Sequence, residues 1–252
     1  MPAIDLNADL GEGFGRWSIG GDEAMLDLVT SASVACGFHA GDPQVMLATV
    51  RAAAARGVSV GAHPGYRDLV GFGRRDLAAT PEQIHADVVY QVGALHACCR
   101  AAGTHVRYVK PHGALYNRAA RDAAAADAIA AAVRDTDPAL VLLGLAGSEL
   151  VSAGRRAGLR VAAEAFVDRN YEADGTLTPR SRPDAVLADP EACARRAVRL
   201  VQHGLVTTRD GFELAVTAES LCVHGDGPAA IALLRQVRGA MAAAGVDLRP
   251  FA

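Results

Sequence analysis

"SVACGFHAGDPQVMLATVRAAAARGVSVGAHPG" (residues 33–65) contains one complete strand–helix–strand unit. An apolar run over Ser33–Phe38 ends in glycines and His39. Asp42 then offers a helix N-cap, and Pro43 suits the first helical position, where its missing N–H has no partner to lose. Gly57 can adopt the left-handed conformation that ends a helix. A second apolar run, Val58–Ala62, follows and stops at His63. Two strands joined through a helix run parallel, because a tight hairpin cannot connect them. Cys36 and His39 invite reading as a nucleophile and its base. Strand side chains alternate, so residues three apart point to opposite faces. Cys36 is therefore expected to pack, and His39 to act with residues from other strands.

The same plan repeats along the chain. Further strands are expected at Ile4–Asp9, Val106–Lys110, Ala139–Leu145, Arg160–Ala165 and Ser220–Val223, making seven. Strands alternating with helices imply an α/β fold with parallel pairing. Thr80-Pro81-Glu82-Gln83 reads as a capping box. Beyond it Ile84, Val88, Val92, Leu95 and Cys99 form one apolar stripe. Gly103 and Gly158 close helices before the next strands. Two segments break the rhythm. Asp168–Pro183 is long and polar, and a stretch of that kind inside a compact domain is usually a lid or binding loop. "TTRDGFEL" (207–214) reads as a hairpin turning at Asp210-Gly211. No linker or second domain is expected over residues 1–252.

The 252 residues suit a single α/β barrel, and the apolar fraction of 51% supports a large core. A net charge of −3 without a basic run argues against nucleic-acid or anionic-membrane partners. No apolar stretch approaches the roughly 20 residues of a membrane span. The N-terminus lacks a basic, then apolar leader, and the five cysteines are scattered. A cytoplasmic protein without disulfides is expected.

Charged and polar residues gather just past the strand C-termini, the edge where parallel α/β folds bind ligands. Asn7, Asp9 and Glu12 follow strand one, His39 strand two and His63 strand three. Lys110 and His112 end strand four. Glu164, Asp168 and Arg169 end strand six, and His224 and Asp226 end strand seven. A lone strand-end histidine is usually structural, but four at one rim, with carboxylates and a lysine, indicate a functional pocket. His85, His96, His105 and His203 read as ordinary packing or solvent histidines. Asp9, His39 and His63 are candidates to converge on a metal, although neither HExxH nor clustered Cys/His spacing is present. There is no G-x-S-x-G and no P-loop. "GEGFGR" (11–16) fails the dinucleotide fingerprint at Arg16. Lys110 is aimed at a carboxylate, a phosphate or a developing oxyanion. Arg169 and Arg180, in the long loop, are candidates to clamp an anionic substrate.

"IDLNADLGEGFG", "SVACGFHAGDP", "GAHPGYRDLVGFGRR", "YVKPHGALYN", "EAFVDRNYEADGTLTPR" and "LCVHGDGP" occur in order from residue 4 to residue 228. Together they resemble the signature blocks of the LamB/YcsF family, which in bacteria comprises 5-oxoprolinase A subunits. One departure is Ser33, where the family pattern leads to asparagine. The resemblance implies a distorted seven-stranded β/α barrel like those of the glycoside hydrolase/deacetylase superfamily. It also implies ATP-dependent opening of 5-oxoproline (pyroglutamate) to L-glutamate with B and C partner subunits, magnesium accompanying the nucleotide. On that basis Lys110 and Arg169 are expected to hold carboxylate or phosphoryl charge, and His39, His63 and His112 to move protons. Asp9 or Glu164 would orient a histidine or act as base. Asn7, Glu12, Arg180, His224 and Asp226 would bind substrate and close the rim. The alternatives are a metal-dependent deacetylase or amidohydrolase on the same barrel, and a non-catalytic component that binds 5-oxoproline without reacting it.

Overall fold

The computed structural model describes residues 2–224 and 230–252; Asp226 lies outside them. The chain runs β1 (Ala3–Leu10), α1 (Asp22–Leu26), β2 (Ser31–Ala35), α2 (Pro43–Ala55), β3 (Ser59–His63), α3 (Pro81–Ala101) and β4 (Val106–Val109). It continues with α4 (Gly113–Ala119), α5 (Ala123–Thr136), β5 (Val141–Leu145), α6 (Glu149–Arg156), β6 (Val161–Phe166) and α7 (Pro190–His203). The last elements are β7 (Leu205–Thr207), β8 (Glu213–Ala215), β9 (Ser220–Val223), α8 (Ala230–Ala243) and β10 (Asp247–Leu248).

Strands β1 to β6 and β9 pair in parallel in that order, and β9 pairs back onto β1, so the seven close into a barrel. All seven expected strands belong to it. β7 and β8 form the expected antiparallel hairpin, with Gly211 at φ 86° in the turn. The short β10, unforeseen in the sequence, extends the N-terminal end of β1. Strand two ends three residues earlier than expected, at Ala35. Gly37 takes φ 95° and its N–H turns back to the carbonyl of Ala40. No helix among the described residues is long and apolar enough to cross a membrane.

The two faces of β1 show how sequence sets the layers. Ile4, Leu6, Ala8 and Leu10 are buried in the main apolar cluster, which also takes in the helix stripe Ile84, Val88, Val92, Leu95 and Cys99. The alternate positions, Asp5, Asn7 and Asp9, are buried among polar partners inside the barrel. Barrel interiors are ordinarily filled by branched aliphatic side chains. Here the aliphatic part is reduced to a small cluster of Tyr108, Val141, Leu143 and Ala162, covered from outside by Phe251. The rest of the interior is polar.

The helix caps follow the sequence. The Asp42 carboxylate accepts from the N–H groups of Gln44 (2.7 Å) and Val45 (3.0 Å), and its other oxygen accepts from Gly15 N–H at 2.7 Å. Asp42 thus caps α2 and ties down the loop after β1. Asp42→Ala is expected to destabilise the protein by about 1–2 kcal/mol, read as a lower urea midpoint with unchanged slope. An unchanged midpoint would show that the cap contributes nothing.

Candidate active site

A polar column rises through the barrel from Asp5 to the mouth. The Asp5 carboxylate accepts from the hydroxyls of Thr30 and Ser31, each at 2.6 Å, and from that of Ser220. Burial, against these hydroxyls, raises its pKa. Ser220 Oγ accepts from Asn7 Nδ2 at 2.7 Å, and the same amide donates to Glu164 at 3.3 Å. Asn7 Oδ1 accepts from Lys110 Nζ at 2.9 Å. From Asp5 through Ser220 and Asn7 to Lys110 each group bonds to the next, as burial of polar groups demands.

Lys110 is the charged centre. Its Nζ lies 2.7 Å from Asp9 Oδ1 and 3.5 Å from Glu164 Oε2, and it donates to Cys222 Sγ at 3.4 Å. Burial opposes its charge, but Asp9, Cys222 and Glu164 outweigh burial and raise its pKa well above the usual lysine value. Burial likewise opposes ionisation of Asp9, yet His63 and Lys110 hold its carboxyl well below the ordinary range. The pair is therefore an ammonium–carboxylate pair. Glu164 is fully buried and its Oε1 has no hydrogen-bond partner. Tyr116 stands next to this carboxylate, one turn into α4 from His112. Burial first, and Glu164 second, raise the pKa of its hydroxyl.

Above Asp9 the histidines stack. His63 Nε2 is 3.2 Å from Asp9 Oδ2, and its Nδ1 lies 2.7 Å from the Lys110 carbonyl. His112 Nδ1 is 2.9 Å from His63 Nε2, and its Nε2 is 2.8 Å from the Phe72 carbonyl. His39 lies flat on His112, with ring centroids 3.8 Å apart and planes 3° apart. Two glycines make room for this stack. A Cβ on Gly65 would lie 2.7 Å from His39 Nδ1, and one on Gly73 would lie 2.7 Å from His39 Cβ and 2.8 Å from His112 Cδ2. Burial first, then neighbouring histidines, lower the pKa of both His39 and His112 well below the usual imidazole value.

A cavity of about 570 Å³ opens over this column. Asp9, His63, Lys110, His112, Glu164 and Tyr116 form its floor, and Arg74, Arg118, Arg121 and Arg180 stand at its mouth. On one wall His224 Nδ1 pairs with Asp168 at 2.9 Å, and its ring stacks on Phe166. Burial works against the Asp168 charge, but His224 keeps the carboxyl below its usual range. With Nδ1 committed to Asp168, His224 has Nε2 left to exchange a proton.

Several expected roles need correction. Asn7, Glu12 and His39 do not line the cavity. Asn7 sits beneath the floor and orients Lys110, while Glu12 and His39 lie behind His112. Inward alternation along β1 stacks Asn7 one level below Asp9, off the cavity lining. Asp9, His39 and His63 do not gather as one metal set; Asp9 groups with Cys222 and His224. His39 and His63 instead group with Glu12 and His112. Arg169 borders the cavity but is buried. Its Nε donates to the Ala185 carbonyl (3.2 Å) and one terminal nitrogen to the Thr178 carbonyl (2.6 Å), so it latches the long loop. Burial first, then Arg180, lower its pKa to about 10. Arg180 faces the cavity. Cys36 donates to the Val34 carbonyl, and burial pushes its thiol up to about 12, which removes it as a nucleophile.

Asp5, Tyr116, Cys222 and the arginines 74, 118 and 121 escaped the sequence reading. The alternation Asp5-Asn7-Asp9 carried the signal for the first. The spacing from His112 to Tyr116, one helical turn, carried it for the second.

The whole chain finds close relatives. It is 55% identical over 252 residues to a 5-oxoprolinase A component of Pseudomonas syringae pv. tomato, covering all of this chain and 98% of the relative. A crystal structure of the lactam utilization protein from Thermus thermophilus superposes with TM-score 0.93 at 51% identity, covering 99% of this chain and 100% of that one. A family 4 carbohydrate esterase from Streptomyces lividans, 12% identical with TM-score 0.50, covers 100% of this chain and 93% of its own, and shares the barrel fold alone. The LamB/YcsF family model matches residues 4–252, and with that span of agreement the chain belongs to the LamB/YcsF family.

Proposed function

We propose that this chain is the A component of a 5-oxoprolinase, opening 5-oxo-L-proline to L-glutamate with hydrolysis of ATP to ADP and phosphate, in a complex with B and C subunits. The observation that carries this reading is Lys110, a buried cation between two carboxylates, on the floor of a cavity with arginines at its mouth. A lactam carbonyl is a poor electrophile because resonance with nitrogen stabilises it. Phosphorylation of the carbonyl oxygen by ATP makes the carbon electrophilic. One water adds to that carbon. The C–N bond then breaks, the nitrogen gains a proton, and an acyl phosphate remains. A second water releases phosphate and leaves the new carboxylate.

Each need has a residue that suits it. Lys110 offsets the negative charge that develops on the carbonyl oxygen. Glu164 Oε1, buried without a partner, is placed to accept the proton of the attacking water. The Asp168–His224 pair returns a proton to the leaving nitrogen. The mouth arginines suit the phosphates of ATP, with magnesium carried on them.

The test is 5-oxoproline-dependent ADP formation by the purified chain with its partner subunits. Lack of ADP with every partner present would rule the reading out. Glu164→Gln, which keeps the shape, is expected to lower kcat by about 10²–10⁴-fold. A near-normal kcat in that variant would remove Glu164 as the base.

A further inference from the structure

We propose that Glu12, His39, His63 and His112 form a binding site for one divalent first-row transition ion, of the zinc class, behind the cavity floor. Proton bookkeeping on the two histidines nearest the cavity leads there. A backbone carbonyl only accepts hydrogen bonds, so His63 Nδ1, at 2.7 Å from the Lys110 carbonyl, carries its proton. His112 Nε2, at 2.8 Å from the Phe72 carbonyl, carries its proton for the same reason. In the neutral rings His63 Nε2 and His112 Nδ1 are then both bare acceptors, yet they face each other at 2.9 Å, and the Asp9 carboxylate Oδ2 lies 3.2 Å from the same His63 Nε2. Two lone pairs at that distance repel unless a positive centre stands beside them.

A proton on His63 Nε2 would serve both His112 and Asp9 but would do nothing for their neighbour. His39 is fully buried, and neither of its ring nitrogens has a hydrogen-bond partner. An unsatisfied polar group buried this way costs about 1–3 kcal/mol. Its Nε2 lies 3.7 Å from Glu12 Oε1, and that same oxygen lies 3.7 Å from His112 Nδ1. One ligand atom from each of the four residues falls within 4.8 Å of all the others. Bonds of about 2.0–2.1 Å at tetrahedral angles separate ligand atoms by about 3.3 Å. The separations of 2.9 and 3.7 Å straddle that value. Three imidazoles and one carboxylate are the donors that zinc, cobalt and nickel accept, and calcium and magnesium do not prefer. The two carbonyls fix the ring orientations from behind, as second ligands of metal-bound histidines do. Gly65 and Gly73 keep the stack of His39 on His112 free of side chains. His63 and His112 border the cavity, which gives an ion its way in.

This site stands independently of the lactam reading, and its test does not use turnover. The full-length chain is stripped with a chelator, titrated with Zn²⁺ or Co²⁺, gel-filtered and analysed for metal. One ion per chain is expected, with visible absorption from Co²⁺ in a site of nitrogen and oxygen ligands. Glu12→Gln, nearly isosteric, and His39→Ala are expected to weaken the affinity by about 100-fold or more, while the control His203→Ala, at the end of α7, leaves it unchanged. A wild-type chain that retains no stoichiometric Zn²⁺ or Co²⁺ overturns the proposal, whatever becomes of the variants. Retention at equal affinity in Glu12→Gln and His39→Ala overturns it as well, because the ion would then sit elsewhere.

Discussion

Lys110→Met is expected to lower kcat of the assembled enzyme by about 10³-fold and to destabilise the chain by about 3–5 kcal/mol. Methionine approximates the length of the lysine stem, so the barrel loses little packing. What it loses is the positive charge between Asp9 and Glu164 on the cavity floor. The pH dependence separates this cause from simple misfolding. In the wild type the Asp9 pKa is depressed, so its contribution is present above the unfolded value of about 3.9 and lost as pH falls through the folded one. The Lys110 pKa is raised, so its contribution is present below about 10.4 and lost as pH rises through the folded value. Between roughly pH 4 and 10 the pair adds a constant amount. Without Lys110, burial weighs more heavily against the Asp9 charge, while His63 still holds its carboxyl down. Asp9 then contributes less above its unfolded value, and the lysine contributes nothing. The gap between the denaturant midpoints of wild type and variant should be widest between about pH 4 and 10 and narrow outside that range. A gap independent of pH would count against the pair.

The second large effect lies lower in the barrel. A Cβ added at Gly61 would sit 2.2 Å from Cε2 and Cζ of Tyr108. That ring cannot retreat. It is fully buried, its hydroxyl lies 3.1 Å from Ser33 Oγ, and its ring packs on Phe251 with centroids 5.0 Å apart. The β3–β4 register also shifts between Val60 and Gly61, where the bulky ring crosses the strand. Gly61→Ala is expected to cost about 3 kcal/mol or more, at the upper end of overpacking effects. Adding Tyr108→Leu should restore part of this, since a smaller side chain clears the new methyl. A melting temperature within a degree or two of wild type for Gly61→Ala alone would show that the interior yields more than this packing implies.

The architecture was legible because local signals agreed with the global fold. Apolar runs ended at polar clusters, Asp-Pro and Thr-Pro marked helix starts, and glycines marked helix ends. Strand C-termini also located the rim, since parallel pairing carries all of them to one edge. The level of each residue below that rim was less legible. Asn7, Glu12 and His39 all lie within a few residues of a strand end, as Asp9 and His63 do. Whether a side chain meets the cavity depends on inward alternation and on the stagger between neighbouring strands. The same limit explains Arg169, whose charge suggested a clamp but whose donors meet carbonyls of its own loop. Asp5 was missed because it precedes the rim by four residues, and polar residues at the far end of a barrel strand ordinarily signify nothing.

Closure of the barrel through β1 and β9 sets a timetable for the nascent chain. β1 leaves the ribosome some two hundred residues before its partner at Ser220–Val223. At about 5–20 residues per second that interval lasts on the order of 10–40 s. Throughout it Asp5 and Asn7 lack Ser220, and Asn7 also lacks Glu164 until β6 is made. Of their partners beyond β2 only Lys110, which reaches Asn7, is made before Glu164 and Ser220, so part of the polar face of β1 stays hydrated until β9 is made. The final zipping of β9 onto β1 must then dry that column in one late step.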